Sequence, residues 1–224
     1  MPSVAVADDR ADLRQSLKQG AEKLGFASTQ AQTDALMAYL QLIQKWNKVY
    51  NLTAVREPQA MLTHHLLDSL TVVAPLLRQC PDVKTLLDVG SGAGLPGIVI
   101  AICCPAIQVD CVDTVAKKAA FINQVAVSLK LPNLKGLHAR VESLQQAYDV
   151  VSARAFASLS DLSTWSAAAL HPEGCWMAMK GKYPADEIAK LPAGTQVFHV
   201  EQLVVPGLDA ERCIVWMKRK SEIS

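Results

Sequence analysis

The sequence lacks the features that mark several specialised classes of protein. Its 224 residues carry a formal net charge of only +1, so no general excess of basic residues points to nucleic acid. No apolar run reaches the roughly 18 uncharged residues that span a bilayer, and the most apolar run is 95–104. The first 14 residues lack the apolar segment of a signal peptide. We therefore expect a soluble, cytoplasmic protein that binds no membrane.

The cysteines form neither a metal-binding pattern nor a disulfide framework. There are six, without paired metal-type spacing and at low density: Cys80, Cys103, Cys104, Cys111, Cys175 and Cys213. We expect them to be small buried side chains in a reducing compartment. His64 and His65 with Asp68 do not form a convincing metal site either, so no metal is expected.

The first third of the chain has the periodicity of helices. Leu13, Leu17, Ala21 and Leu24 recur every three or four residues, which predicts an amphipathic helix. Ser28 is the expected N-cap of a second helix, with an apolar face over 36–46. A third helical segment should begin near Pro58 and end before Cys80. We interpret 1–82 as a helical extension packed on a second unit, 83–224.

The period changes at Lys84, where short apolar runs begin to alternate with helices. Strands are predicted at 85–89, 107–112, 134–138, 148–152 and 175–179, with helices at 98–103, 115–130, 159–170 and 184–191. This alternation indicates an α/β fold with a parallel sheet covered on both faces. The runs 195–205 and 212–218 are joined without room for a helix, so we expect an antiparallel C-terminal hairpin.

A glycine-rich turn follows the first predicted strand and is the clearest candidate ligand site. It contains Gly90, Gly92 and Gly94, whose backbones can approach a ligand closely. In α/β folds, ligands bind at the carboxyl ends of the strands. Asp113 ends the second strand nineteen residues after Gly94 and is placed to accept both ribose hydroxyls of an adenosine.

The glycine spacing alone leaves two ligands open. Gly92, Gly94 and Gly97 also satisfy the dinucleotide fingerprint, so a nicotinamide oxidoreductase is an alternative, as is a tight turn without a ligand. Three features favour S-adenosylmethionine. Asp88 is placed to hold the ammonium of its methionine part and would repel a pyrophosphate, Pro96 rigidifies the helix entrance, and the terminal hairpin is unusual in dinucleotide folds. These features favour a Rossmann-like class I methyltransferase sheet.

Two absences bear on the methyl acceptor. The segment Ser152–Phe156 replaces the Asn/Asp-Pro-Pro-aromatic segment common in amino methylation, and no Pro-Cys pair is present for pyrimidine C5 chemistry. Together they favour an acceptor with an exposed lone pair, such as guanine N7. That reaction needs alignment and exclusion of water and no general base, so no catalytic residue is expected. Methylation of another RNA or a small molecule, or a sensor without chemistry, are the alternatives.

Segments along nearly the whole chain are similar to one family. They are Lys45–Lys48, Tyr50–Thr53, 65–69, 88–97, Asp113 with Lys117-Lys118, Arg140–Glu142, 152–156, Met179–Gly181 and 208–212. In these segments the chain resembles the bacterial RsmG (GidB) family, which methylates N7 of a guanine in the 530 loop of 16S ribosomal RNA. His64 departs from the arginine frequent in that family, which puts one phosphate contact in doubt.

The resemblance implies roles for particular residues. Gly90 and Leu95 would line the cofactor, and Val141 and Glu142 would flank its adenine. Arg154 would reach the methionine carboxylate or the target region, since its guanidinium matches a carboxylate, or would form a surface ion pair instead. The implied partner is 16S RNA in the small ribosomal subunit. We expect a monomer without an obligate protein partner.

Several further residues are candidates for contacting the RNA. Asn51 and Thr53 would do so, or would bond their own backbone in a turn. His65 and Asp68, three apart on a helix, form either a substrate-facing pair or a structural hydrogen bond. Lys180, at a strand end, is a positioning candidate along with Arg154. A basic surface is expected from residues of the helical extension: Arg10, Arg14, Lys18, Lys23, Lys45, Lys48 and Arg56.

Overall fold

The computed structural model describes residues 4–220, with side chains from Arg10 onward. The first helix, α1, runs over Val4–Lys23 and buries Leu17 and Ala21, in agreement with the predicted apolar stripe. Residues 1–3 and 221–224, at the ends of the predicted units 1–82 and 83–224, lie outside the described part of the chain.

The second helix, α2, begins one residue later than predicted. It spans Gln30–Tyr50 and its N-cap is Thr29, which corrects the assignment of Ser28. Thr29 Oγ1 accepts from the Gln32 backbone N–H at 3.2 Å, and Gln32 Oε1 accepts from the Thr29 N–H at 2.9 Å. This reciprocal capping box satisfies two helix-end donors, which Ser28 does not do because its hydroxyl bonds Thr33.

The third helical segment is interrupted by a wide turn. It consists of α3 (Pro58–Met61), a π-helical stretch (Leu62–Leu67), α4 (Asp68–Leu70) and α5 (Val73–Gln79). The segment Pro58–Gln79 is long enough to cross a membrane and contains an 18-residue window apolar enough to do so, with a mean hydropathy of 1.3, but 78% of that window is buried inside the protein. That burial is typical of a core helix, and π-helical turns often occur at functional sites.

A seven-stranded sheet forms the centre of the molecule. Its strands are β1 (Thr85–Val89), β2 (Gln108–Asp113), β3 (Leu134–His138), β4 (Tyr148–Arg154), β5 (Leu170–Lys180), β6 (Thr195–Leu203) and β7 (Arg212–Arg219). Their order is β3-β2-β1-β4-β5-β7-β6. The first five strands are mutually parallel, whereas β7 pairs antiparallel with both β5 and β6. The predicted α/β fold with its C-terminal hairpin is confirmed, and the second strand of the hairpin is the one inserted beside β5.

The crossover helices are α6 (Gly97–Cys103), α7 (Ala116–Ser128), α8 (Leu159–Trp165) and α9 (Ala185–Ile188). Three of them are shorter than predicted, and α7 lacks only one residue of 115–130 at its start and two at its end. The prediction of a helix over 159–170 is wrong at its end, because Ala167–Ala169 form a 3-10 turn and Leu170 already pairs with Tyr148 in the sheet. The predicted helix 184–191 is reduced to a single turn.

Alternating residues of the strands pack into two layers, one on each face of the sheet. The helices α1 to α7 cover the face that includes Leu86, Val109 and Trp216. The opposite face, with Leu87 and Trp176, packs against α8 and the turn after it. The N-terminal helices therefore share one continuous apolar layer with α6 and α7, and this packing brings α2 against the glycine turn.

Candidate active site

The turn after β1 is held open by backbone conformations that favour glycine. Gly90, Gly92 and Gly94 have φ values of +64°, +59° and +87°. The N–H of Gly90 donates to the Val112 carbonyl at 2.9 Å, which ties the turn to the end of β2. A Cβ at residue 90 would overlap the Phe156 ring, so both conformation and space exclude a side chain there.

Asp88 supports this turn from the protein interior. It is fully buried, and its carboxylate accepts from the Gly97 N–H at 2.9 Å and from Ser152 Oγ at 3.0 Å. Burial raises the pKa of Asp88 to about 7. It lines neither of the cavities beside the turn, so the geometry differs from the expected direct contact with an ammonium group. Asp88 joins β1 to the start of α6 and to β4.

Asp113, at the end of β2, contacts both the glycine turn and α7. Its Oδ2 accepts from the Gly92 N–H at 3.1 Å and lies 3.4 Å from Lys118 Nζ, while its Oδ1 accepts from the Val115 N–H at 2.9 Å. A carboxylate has about four acceptor positions, so it retains capacity for hydroxyl donors. The side chain borders the first of two cavities.

We call this first space the Asp113 cavity; its volume is about 330 Å³. Val141 and Glu142, on a 3-10 turn after β3, line it; that they flank an adenine stays a prediction. Its aromatic wall was not predicted: Phe156 and Trp165 lie edge to face with ring centroids 5.9 Å apart. A signal for them existed, since both are aromatic residues close after the end of β4.

The second space, which we call the Arg154 cavity, has a volume of about 440 Å³. It brings together residues from the N-terminal helices, the glycine turn and the ends of β4, β5 and β7. Among the predicted site residues it includes Thr53, His65, Gly90, Gly92, Leu95, Arg154 and Lys180. Gly90 borders both cavities, so the two cavities meet at this glycine.

A buried carboxylate organises the basic side of the Arg154 cavity. Asp68 accepts from Arg154 Nη1 at 2.9 Å with one oxygen and from Arg212 Nε at 3.0 Å with the other. The Asp68 side chain is 3% exposed, against 21% for Arg154 and 24% for Arg212. Arg154 is thus in an ion pair, as its alternative reading held, yet still borders the cavity. Arg212 was not singled out by the sequence.

Of the residues predicted to contact RNA, Thr53 and His65 border the Arg154 cavity, whereas Asn51 does not. Thr53 Oγ1 lies 2.9 Å from His65 Nε2 and also accepts from the Val55 N–H at 3.1 Å. His65 therefore pairs with Thr53 and not with Asp68, which corrects the expected pairing along the helix. Asn51 lies at the left-handed C-cap of α2, exposed and outside the lining of the cavity. Burial, and secondarily Arg154, lowers the pKa of His65 to about 4.

Lys180 points its charge at a neighbouring helix. Its Nζ donates to Glu187 Oε2 at 2.7 Å and to the Ala157 carbonyl at 3.1 Å. Glu187 in turn accepts from the Leu159 N–H at 2.7 Å, which connects α9 to the start of α8. In this structure Lys180 has an internal partner while it borders the Arg154 cavity, and a contact with phosphate or base stays a prediction.

Helix α2 completes the site by supporting the glycine turn. The fully buried Tyr39 hydroxyl donates to the Ala93 carbonyl at 2.6 Å. Gln32 Nε2 donates to the Cys103 carbonyl at the end of α6, at 3.1 Å. The helical extension thus holds both the turn and the helix that follows it.

These residues fit a nucleoside with a short charged tail. The Asp113 cavity offers a carboxylate beside apolar and aromatic walls, and the Arg154 cavity offers a guanidinium. Ser91 adds a buried hydroxyl without a hydrogen-bond partner in the described structure, at the border of the Arg154 cavity. Among the side chains that the structure describes, from Arg10 to residue 220, no group of three or more His, Cys, Asp or Glu residues is arranged to hold a metal ion.

The fold is that of the Rossmann-like class I methyltransferases. TrmN from Thermus thermophilus is similar with a TM-score of 0.55 and 18% identity, covering 71% of this chain and 53% of that chain. The ribosomal protein L11 methylase from Lactobacillus delbrueckii subsp. bulgaricus has a TM-score of 0.52 and 14% identity, covering 68% and 78% respectively. These similarities concern the fold.

The family follows from sequence. A family model described as rRNA small subunit methyltransferase G matches residues 32–215. The "Ribosomal RNA small subunit methyltransferase G" of Albidiferax ferrireducens is 62% identical over 221 residues, covering 94% of this chain and 99% of that protein. The chain belongs to the rRNA small subunit methyltransferase G family. The resemblance found in the sequence is confirmed, and the alternative of a dinucleotide oxidoreductase is set aside.

Proposed function

We propose that this methyltransferase binds S-adenosylmethionine across the two cavities, with the adenosine in the Asp113 cavity. Asp113 would accept the ribose hydroxyls, and Val141, Glu142 and the Phe156–Trp165 wall would enclose the adenine. The methionine part would lie along the glycine turn toward Arg154. When bound, S-adenosylmethionine supplies an electrophilic methyl group. The observation that carries this proposal is the meeting of the two cavities at Gly90.

The acceptor would enter the Arg154 cavity, and we propose N7 of a guanine. The side chains there suit an acceptor that already has a free lone pair. Asp68 is engaged by two arginines and Lys180 by Glu187, and the lowered pKa makes His65 a weak base. None of them is well suited to remove a proton, and guanine N7 carries none. Arg154 and Lys180 would position the substrate while the enclosing walls exclude water.

The substrate that this reading favours is 16S RNA in the small ribosomal subunit, at the guanine in the 530 loop. The names of the relatives support an rRNA of the small subunit. Lys45 and Lys48 on α2 are exposed and suited to phosphate. A monomer acting without an obligate protein partner in the cytoplasm stays our prediction.

The test is methylation of small subunits purified from a strain that lacks its own copy of this enzyme. The protein and labelled S-adenosylmethionine are added, and N7-methylguanine is located by borohydride reduction, aniline cleavage and primer extension. We expect a single strand break in the 530 loop. Label at another atom, in another RNA, or in none would contradict the proposal.

Substitutions of Arg154 distinguish a role in binding the substrate or cofactor from a purely structural role. Arg154→Ala should impair turnover strongly while leaving the fold intact by circular dichroism, and Arg154→Lys should recover little because the lysine lacks the planar fork. Lys135→Ala, an exposed change on β3, is the matched control and should behave as wild type. Full activity of Arg154→Ala would show that the ion pair of Arg154 with Asp68 is purely structural.

A further inference from the structure

Two cysteine thiols are in contact beside the amino ends of the parallel strands, whereas the active site lies at the carboxyl ends. Cys80 Sγ lies 3.2 Å from Cys175 Sγ. Cys80 follows α5, shortly before β1 begins, and Cys175 pairs with Val150 near the start of β4. Asp149 accepts from the Lys84 and Thr85 N–H groups, which confirms that the amino ends of β1 and β4 adjoin there.

One of the two thiols is accessible and the other is sheltered. Cys80 is half-buried and borders an open cavity of about 530 Å³, whereas Cys175 is 7% exposed. Lys218 and His171 border this cavity together with Asp82, Asp149 and Glu173, so it carries both basic and acidic groups. A small zwitterionic disulfide compound therefore has room and partners of both signs beside Cys80.

The contact also makes the two thiols chemically unequal. The hydrogen bond from Cys175 lowers the pKa of Cys80, and the same contact, together with burial, raises the pKa of Cys175. Burial raises the pKa of each of the other four cysteines, all of which the structure describes. Since the thiolate is the nucleophile, Cys80 is the favoured point of attack on a disulfide.

We propose that Cys80 and Cys175 form a thiol–disulfide exchange site that small-molecule disulfides such as glutathione disulfide oxidise to an internal disulfide. The Cys80 thiolate attacks one sulfur of glutathione disulfide and displaces one glutathione thiolate. Cys175 then loses its proton and attacks Cys80 Sγ, which releases the second glutathione thiolate to take up a proton. Two protein thiols are oxidised, and one glutathione disulfide is reduced to two glutathione molecules.

The geometry permits this bond with little movement. A disulfide has a sulfur–sulfur distance of about 2 Å, so the two atoms must approach by only about 1 Å. Cys175 lies within β5, which is held by β4 and β7, whereas Cys80 ends a helix and precedes a turn. The bond would connect the helical extension to the sheet and constrain the unfolded chain. It would leave the carboxyl ends of the parallel strands, where both active-site cavities lie, unchanged.

The experiment incubates the purified full-length protein in buffers of increasing glutathione disulfide to glutathione ratio. We expect the intact mass to fall by two hydrogen atoms, and a non-reduced digest to contain a peptide linking Cys80 with Cys175. The melting temperature should rise by at least about 5 °C, because the bond closes a long loop. The affinity for S-adenosylmethionine, measured by calorimetry, should change by less than about twofold.

Two substitutions resolve the order of events. Cys175→Ser should stop at the mixed disulfide and retain one glutathione on Cys80, whereas Cys80→Ser should remain unmodified. Cys104→Ser, which leaves the pair intact, is the control and should oxidise as wild type does. The proposal is overturned if glutathione attaches first elsewhere, if no Cys80–Cys175 peptide forms, or if oxidation abolishes cofactor binding.

Discussion

Asp113 and Asp68 are both buried carboxylates of the site, and they hold different kinds of partner. Asp113 accepts backbone N–H groups and contacts a lysine, and borders the cavity that we assign to adenosine. Asp68 neutralises two arginines at the cavity that we assign to the base. The two residues therefore give distinct consequences when changed.

Replacing Asp113 should affect the cofactor. Asp113→Ala should weaken binding of S-adenosylmethionine by roughly 100-fold, since each hydrogen bond to a charged acceptor contributes about 1.5–3 kcal/mol. Isothermal titration calorimetry measures this, with the exposed change Asp82→Ala as control. An unchanged dissociation constant would refute the assigned contact with ribose.

Replacing Asp68 should affect turnover and stability. Asp68→Asn should lower the free energy of unfolding by about 3 kcal/mol, because two partly buried guanidinium groups lose their counter-charge. Turnover should fall more than cofactor affinity does, as Arg154 loses its position. Urea unfolding and single-turnover kinetics check the two effects. The exposed ion-pair change Asp34→Asn should have no measurable effect on either; equal behaviour of the two variants would contradict the argument.

Asp88 should make stability depend on pH in an unusual direction. Its pKa is raised from 3.8 to about 7, so between these values the folded state binds its proton more tightly than the unfolded state does. Its contribution is therefore fully present below about pH 4 and declines by up to about 1.4 kcal/mol per pH unit until about pH 7. His65, with a lowered pKa, acts oppositely between about 4 and 6.5.

The Asp88 contribution can be isolated with Asp88→Asn, whose amide does not titrate. We expect wild type to lose stability relative to this variant as the pH rises from 5 to 7, and the difference to stay constant above about 8. Urea midpoints over this range provide the measurement. A constant difference throughout would show that Asp88 ionises normally.

At the scale of elements, α2 is part of the cofactor site although it precedes the sheet in sequence. Tyr39→Phe removes the hydroxyl that donates to the Ala93 carbonyl and leaves that buried acceptor without its partner. We expect a loss of about 1–2 kcal/mol in stability and a severalfold weaker affinity for S-adenosylmethionine. Tyr50→Phe, a change at an exposed tyrosine, is the matched control. Equal cofactor affinity in both variants would leave Tyr39 with packing alone.

How far the sequence predicts these elements depends on the range of the interactions. The glycine turn and the alternating strands are local patterns, so 85–89 and the hairpin were predictable. The N-cap of α2 is Thr29, which forms its capping box with Gln32. The neighbouring Ser28 also has a hydroxyl suited to capping and was predicted instead. Asp68 and Arg212 lie 144 residues apart in the sequence. No local pattern indicates that β7 pairs with β5 and so places Arg212 beside Asp68. The aromatic wall likewise depends on the folding of α8 against β4.

At the scale of the whole molecule, the near-neutral net charge limits affinity for naked RNA. Part of the expected basic surface already has partners within the protein, since Arg14 forms an ion pair with Asp34 and Lys18 donates a hydrogen bond to the neutral side chain of Gln30. We expect the complete small subunit to be methylated faster than an oligonucleotide of the same loop, because recognition must rely on presented shape. Rates compared at one salt concentration test this; equal rates would contradict it, and both should fall as salt increases.

The position of β7 has a consequence for how the protein is made. Its residues Ile214, Val215 and Trp216 are fully buried between β5 and β6, and the arginine that begins the strand reaches the active site. The sheet therefore cannot close, and the Arg154 cavity cannot form, until residues 212–219 have been synthesised and have left the ribosome. A truncation just before Arg212 would be as damaging as one in the middle of the sheet.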